Sequence, residues 1–200
     1  MTLVLYGSPR SRTLRTLWML AELGLEFEHV PLEFADPALK TAEFLALNPA
    51  GAIPTLVDHG FAISESLAIN LYLARRYGQA TLYPHDVEGE AMTWRWTLWA
   101  QGHLEPWIMY DSPLADGRPA IAPLEAAAAR RSLAVLDGVL SARPWLAAEE
   151  FSVADLNVAA VLSPSRSQHL DLAPFPHVKA WLALCYGRPA ALETRRRFQP

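Results

Sequence analysis

The chain has 200 residues, enough for one large domain or two small ones, and 52% of them are hydrophobic, enough for a real core. A formal net charge of −4 argues against general nucleic-acid binding and against a basic membrane patch. The single cysteine, Cys185, excludes an internal disulfide and any multi-cysteine metal site, which fits a reducing compartment.

The chain opens on the short apolar run Leu3 to Tyr6, which reads as a buried strand and turns at Gly7. No basic region precedes it, so no signal peptide is expected. No segment approaches the about 18 uninterrupted apolar residues of a membrane span, and the expectation is a soluble, cytoplasmic protein. Thr13 to Leu23 reads as a helix with Leu14, Leu17, Trp18 and Ala21 on one face and Gly24 suited to its C-terminal cap. Phe27 to Leu32 is a second strand and Pro37 to Leu47 a short helix. Thr55 to Val57 and Phe61 to Ile63 flank Asp58-His59-Gly60, a hairpin turn. A third helix runs from about Glu65 to Tyr77 with Leu67, Leu71 and Ala74 on one face. The order β-α-β-α-β-β-α joins a parallel crossover to a terminal hairpin, so the sheet is expected to be mixed and four-stranded.

Residues 79–87 hold few periodic apolar residues and read as a linker between an α/β domain, 1–78, and an all-helical domain, 88–200. Met92 to Tyr110, Leu124 to Leu140, Val153 to Leu162 and His177 to Tyr186 read as helices. Ser152 with Asp155 forms a capping box, and Phe151 with Leu156 a hydrophobic staple, so this motif starts a buried helix and carries no chemistry.

Two motifs carry chemistry. Asn48-Pro-Ala-Gly-Ala-Ile-Pro-Thr-Leu56 puts a proline just before a short apolar strand. Glu65-Ser66 puts an acid and a hydroxyl at a helix start, where the N–H groups favour anions. Together they suit a small peptide bearing an amino group and carboxylates. Ser64 as a plain helix cap would explain itself and leave Ser66 unexplained.

An α/β half followed by an all-helical half with these motifs resembles the cytosolic glutathione transferase superfamily. The resemblance covers nearly the whole chain, and Asn48 to Leu56, Glu65 to Ile69 and Ser152 to Asp155 carry it, in order and at the right spacing. It implies a thioredoxin-like first domain and a cis-proline at Pro54. A cis proline reverses the chain without donating a hydrogen bond, leaving the N–H and C=O of Ile53 free to pair with the cysteinyl backbone of glutathione. Glu65 would pair with the γ-glutamyl ammonium and Ser66 with its carboxylate. Lys40 lies where some classes of the family place a lysine near the glycyl carboxylate, although a lone lysine on a helix is often only solvated.

A thiol of pKa about 8.5 is mostly protonated at neutral pH, so the enzyme's task is to favour the thiolate. A hydroxyl donor aimed at sulfur does so, and a helix N-terminus adds to it. Ser8, Ser11 and Thr13 are the candidates. By the resemblance, Gly-x-x-x-Ser counted from the strand puts Ser11 where plant-type and related bacterial enzymes carry their catalytic serine. Counting back from Gly24 also favours Ser11 over Ser8, and Thr13 stands behind both. Ser8-Pro9 fits an N-cap followed by proline, and Ser11 could equally be the N-cap. Arg10, Arg12 and Arg15 crowd the same helix start, as solvated cations or as a positive field for anionic glutathione.

Trp96, Trp99, His103, Trp107 and Tyr110 share one face at helical spacing, a stripe that is more often core than pocket. His103 puts a polar group in it, and Pro106 should bend the helix. In the family this helix borders the electrophile cleft, which implies that Trp99, His103, Trp107 and Tyr110 line an aromatic pocket. The resemblance thus implies a serine-type glutathione transferase that conjugates hydrophobic electrophiles or reduces peroxides. It implies a homodimer, with glutathione as cosubstrate and no metal or redox cofactor. The alternatives are a glutathione-dependent reductase, isomerase or dehalogenase, or a non-catalytic binding or regulatory protein on the same scaffold.

Overall fold

The computed structural model describes residues 3–107, 123–163 and 171–198. The chain divides into two compact units, 1–79 with 189–200, and 80–188.

In the first unit the strands are β1 (Leu3–Tyr6), β2 (Glu28–Val30), β3 (Thr55–Asp58) and β4 (Phe61–Ser64). They form one sheet in the order β2-β1-β3-β4. The β1–β2 pair is parallel and the other two pairs are antiparallel, so the sheet is mixed as expected. Helix α1 (Thr13–Leu23) supplies the crossover. Gly24 ends it at φ 62°, with Gly24 N–H on the Ala21 carbonyl and Leu25 N–H on that of Leu20. These paired bonds need a left-handed residue that glycine adopts without strain. The single helix expected over 37–47 is two pieces, a 3₁₀ turn Pro37–Lys40 and α2 (Ala42–Leu47). Thr41 divides them by capping the second, accepting from the Phe44 N–H at 3.2 Å.

Helix α3 (Ser66–Tyr77) follows β4. Leu5, Leu17, Leu20, Leu56, Ile69 and Leu73 form the buried interior of this unit. Two tyrosines and an arginine of α3 converge on the buried Asp58 carboxylate at the β3–β4 hairpin. Tyr72 and Tyr77 donate their hydroxyls at 2.7 and 2.8 Å, and Arg76 Nε lies at 3.0 Å. Burial opposes the charge, but these donors outweigh it and hold the Asp58 carboxyl below its ordinary value.

The short helix α4 (Gln79–Leu82) begins on the last residue of the first unit's main stretch, and the second unit holds the rest of it with α5 (Val87–Trp99), α6 (Pro123–Leu140), α7 (Val153–Leu162) and α8 (Pro176–Tyr186). Every residue of α7 is buried. The capping box is present at Ser152 and Asp155. Asp137 on α6 accepts from the N–H groups of His177 and Val178 at 2.8 and 3.0 Å, capping α8 from a neighbouring helix.

The last helix, α9 (Pro189–Phe198), lies in a stretch the sequence reading assigned to the helical domain without seeing a helix. The structure groups it with the first unit, against α1. Its inward residues are the small or polar Ala191 and Thr194, so no apolar period announces it. Among the described residues no helix is long and apolar enough to cross a membrane.

Candidate active site

Three segments of the first unit converge. The first is the turn from β1 into α1. Gly7 leaves the strand at φ 133°, and a side chain there would collide with Thr13 Oγ1 and stand 3.0 Å from Ile53 Cβ, so the three pack together and only glycine fits. Ser8 Oγ accepts from the Arg10 N–H at 3.2 Å. Ser11 Oγ donates to the Ser8 carbonyl at 2.7 Å, accepts from the Thr13 N–H at 3.1 Å, and lies 2.7 Å from Thr13 Oγ1. Exposure separates the three hydroxyl residues: Ser8 is 1% exposed, Thr13 0% and Ser11 9%.

The second segment is the loop from α2 into β3. Buried Asn48 braces it, donating from Nδ2 to the Ala52 carbonyl at 2.9 Å and to Thr55 Oγ1 at 3.0 Å, and accepting from the Ala50 N–H at 3.1 Å. The Ile53–Pro54 peptide is cis. The Ile53 side chain is anchored in a cluster with Leu39 and Phe44, against Tyr6 and Leu32. Its backbone N–H and C=O take part in no hydrogen bond among the described residues. Lys40 is exposed and donates to the Gly51 carbonyl at 3.1 Å, so it steadies the same loop.

The third segment is the start of α3. Glu65 is the residue that caps the helix, at φ 70° and ψ 110°, a conformation that strains any residue but glycine. Ser64 stays in β4 and does not cap it. The Glu65 side chain makes no capping bond and is exposed. Strain held at a charged, exposed helix start is characteristic of functional positions. Ser66 is buried behind it, and its Oγ accepts from Arg15 Nη1 at 3.4 Å.

The sequence offers Arg15, with Arg10 and Arg12, as a solvated cation or as part of a positive field for glutathione, and in neither reading as a buried residue. Arg15 is buried, and its backbone carbonyl accepts from Asn70 Nδ2 at 3.4 Å, which ties α1 to α3 beneath Ser66. The available signal was its place one turn after Ser11, on a side of α1 that also buries Met19.

In the second unit, α5 runs into a π-helical turn, Ala100–Leu104, in which the Glu105 N–H reaches back to the Ala100 carbonyl. Pro106, which brings no N–H, follows directly. The His103 carbonyl accepts from Ser132 Oγ at 2.6 Å. The core stripe is Thr93, Trp96, Thr97, Ala100 and Leu104. Trp99, His103 and Trp107 form a neighbouring stripe that is half-buried, exposed and half-buried in turn. Tyr110 lies outside the described residues.

A mixed four-stranded sheet with a cis-proline loop and a glutamate-serine helix start, followed by a helical unit, is the architecture of the glutathione transferases. Residues 1–75 match the family Glutathione S-transferase, N-terminal domain, and residues 105–189 match Glutathione S-transferase, C-terminal domain. Glutathione S-transferase 3 of Zea mays is 35% identical over 96% of this chain and 92% of its own. The protein named Disulfide-bond oxidoreductase YfcG of Escherichia coli (strain K12) is 28% identical over 93% of this chain and 91% of its own. The solved structure of glutathione S-transferase III in apo form superposes with a TM-score of 0.84 at 32% identity, covering 100% of this chain and 98% of that one. The chain belongs to the cytosolic glutathione S-transferase superfamily.

Proposed function

We propose that this protein is a serine-type glutathione transferase, cytoplasmic and dimeric, that joins the glutathione sulfur to hydrophobic electrophiles. The observation that carries the serine assignment is exposure. Of the three residues at the start of α1 that carry hydroxyls, Thr13 is wholly enclosed, Ser8 is 1% exposed, and Ser11, at 9%, is the most open. In the proposed reaction Ser11 donates to the thiolate, the thiol proton having left to solvent. The sulfur then attacks an electrophilic carbon, a C–S bond forms, and the leaving group departs with its electron pair.

The free backbone groups of Ile53 suit the cysteinyl backbone, and the exposed Glu65 carboxylate suits the γ-glutamyl ammonium. Ser66 at the N-terminus of α3 suits the adjacent carboxylate, and Lys40 the glycyl carboxylate. Trp99, His103, Trp107 and Tyr110 are the proposed lining for the electrophile. Glu65→Ala and Ser66→Ala should each weaken glutathione binding roughly tenfold or more through a lost charge-assisted bond of about 1.5–3 kcal/mol. Glu65→Ala should melt as the parent does, and Ser66→Ala should lose about 1–3 kcal/mol of stability, because it removes an acceptor of the buried Arg15 guanidinium. Unchanged affinity in both by calorimetry would remove the assigned site.

The name of the Escherichia coli relative favours disulfide reduction as a second reading. There the same thiolate would attack a disulfide sulfur, and a second glutathione would release the mixed disulfide as oxidised glutathione. Assaying one preparation against activated aryl halides, peroxides and a small disulfide ranks these reactions.

Support for a dimer comes from unsatisfied apolar surface in each unit. Phe61 is exposed beside Tyr72 in the first. In the second, Val87, Trp94 and Leu98 are exposed along one side of α5. Light scattering should give twice the chain mass, and a monomer at micromolar concentration would contradict it.

A further inference from the structure

We infer that Thr13 is a positioning residue for Ser11, its buried hydroxyl directing the Ser11 proton toward the glutathione sulfur. The inference rests on the reading of Ser11 as the thiolate donor. It follows from counting protons around one oxygen. A serine hydroxyl has one proton to give and two lone pairs to receive. The Ser8 carbonyl, 2.7 Å from Ser11 Oγ, only accepts, so the Ser11 proton lies on it. The Thr13 N–H, at 3.1 Å, only donates, so it takes one lone pair. The remaining contact, 2.7 Å to Thr13 Oγ1, falls on the second lone pair, which makes Thr13 the donor.

The Ser11 oxygen is therefore saturated before any ligand arrives. When a thiolate approaches its open side, one event is needed: the Ser11 proton swings from the Ser8 carbonyl to sulfur. The proton and the two lone pairs turn together about Cβ–Oγ, so a sulfur that arrives beside the Ser8 carbonyl takes the proton with only a small turn, and the two Thr13 donors keep their hold on the oxygen. Two donors on that oxygen also polarise its O–H, as hydrogen bonds in a chain do.

Thr13 cannot reach sulfur itself. The residue is wholly buried, and its hydroxyl lies where a side chain on residue 7 would stand, roofed by Gly7. The glycine at the strand exit and the threonine two residues beyond the serine thus form one device. The glycine leaves the space, and the threonine fills it with a donor.

The test is the absorbance of bound glutathione thiolate against pH in the parent, Thr13→Val, Thr13→Ser, Ser11→Ala and the Ser11→Ala/Thr13→Val double variant. Thr13→Val should raise the midpoint and cut the thiolate fraction near neutrality roughly threefold to tenfold. Affinity for S-hexylglutathione, which has no thiol, should hold. Thr13→Ser should restore the parent midpoint. In the Ser11→Ala background Thr13→Val should add nothing, because the two residues act as a unit. Thr13→Ala, which only removes atoms, gives the same readings should valine strain the contact with Gly7. An unmoved midpoint in Thr13→Val beside a shifted one in Ser11→Ala overturns the inference and leaves the Ser11 reading standing. A Thr13→Val shift that persists without Ser11 overturns it too, by showing that Thr13 serves the sulfur directly. No shift in Ser11→Ala removes both readings.

Discussion

Asp155→Ala should leave the helical unit unable to fold stably at ambient temperature. The carboxylate is wholly buried and is the meeting point of four donors from three parts of that unit. Leu146 N–H and Trp181 Nε1 reach Oδ1 at 3.0 Å each, and the Ser152 N–H and hydroxyl reach Oδ2 at 3.1 Å each. Burial pushes the carboxyl above its ordinary value, while the donors pull the other way. Alanine strands the donors in a dry interior at about 1–3 kcal/mol for each left unmatched. Whole domains are stable by only about 5–15 kcal/mol. Asp155→Asn should fall between alanine and the parent, since one amide oxygen still accepts while the new N–H₂ group faces a donor. Denaturant unfolding followed by tryptophan fluorescence measures both. Asp137→Ala is the control, because it also removes a carboxylate cap but from a partly exposed site, and should cost about 1 kcal/mol. Equal midpoints for Asp155→Ala and Asp137→Ala would show that the buried network is not what holds α7 and α8 together.

That network was legible in the sequence only in part. The capping box at Ser152 and Asp155 is a local pattern, three residues apart, and was read correctly as a helix start. Its bonds to Leu146 and Trp181 span 9 and 26 positions, and no local pattern encodes them. The same division runs through the rest of the molecule. β1, α1, the β3–β4 hairpin and α3 announce themselves by period and by Gly7, Gly24 and Gly60, and they fell within a residue or so of their places. The mixed sheet followed from one crossover and one hairpin. Three features did not show, each because a tertiary effect outweighs a local one. Thr41 splits a run that reads as one helix. The aromatic stripe parts into a core line through Trp96, Ala100 and Leu104 and an outer line through Trp99, His103 and Trp107, and the π-turn Ala100–Leu104 before Pro106 interrupts the regular helix that the sequence suggests. Helix α9 packs with residues too small and polar to make a stripe.

At the site itself, the residues legible in advance were those whose backbone the motif constrains: Ile53, Pro54, Glu65 and Ser66. The supporting residues were not, because Thr13, Arg15 and Asn48 act through side chains whose partners the fold supplies. Arg15 shows the difficulty most clearly. A cation at the start of a helix opposes the dipole and belongs, by that rule, in water. Burial beneath Ser66 is intelligible only once α1 and α3 are seen packed side by side.

Ser11→Ala should slow glutathione conjugation near neutrality by about two orders of magnitude, the usual cost of removing one aimed donor from a developing or resting anion. The loss should sit in the reactivity of bound glutathione rather than in its affinity. The proposed binding contacts come from Ile53, Glu65, Ser66 and Lys40, and none of them touches the Ser11 hydroxyl. In the parent the rate should level off at a pH below the about 8.5 of a free thiol, and in Ser11→Ala it should keep climbing toward that value. Raising the pH should therefore recover part of the lost rate, because solvent then makes the thiolate that the serine no longer favours. Ser8→Ala should do much less. Its hydroxyl is turned to the Arg10 N–H, and the substitution keeps the Ser8 carbonyl that Ser11 holds at rest. The measurement is the pH profile of kcat/KM with one activated aryl halide for the parent and both variants. If Ser8→Ala moves the profile and Ser11→Ala does not, the donor is misassigned. If neither moves it, the N–H groups at the start of α1 carry the stabilisation and the open side of Ser11 is incidental. If the parent shows no thiolate and no turnover with any electrophile, peroxide or disulfide, yet binds glutathione, the scaffold serves binding alone.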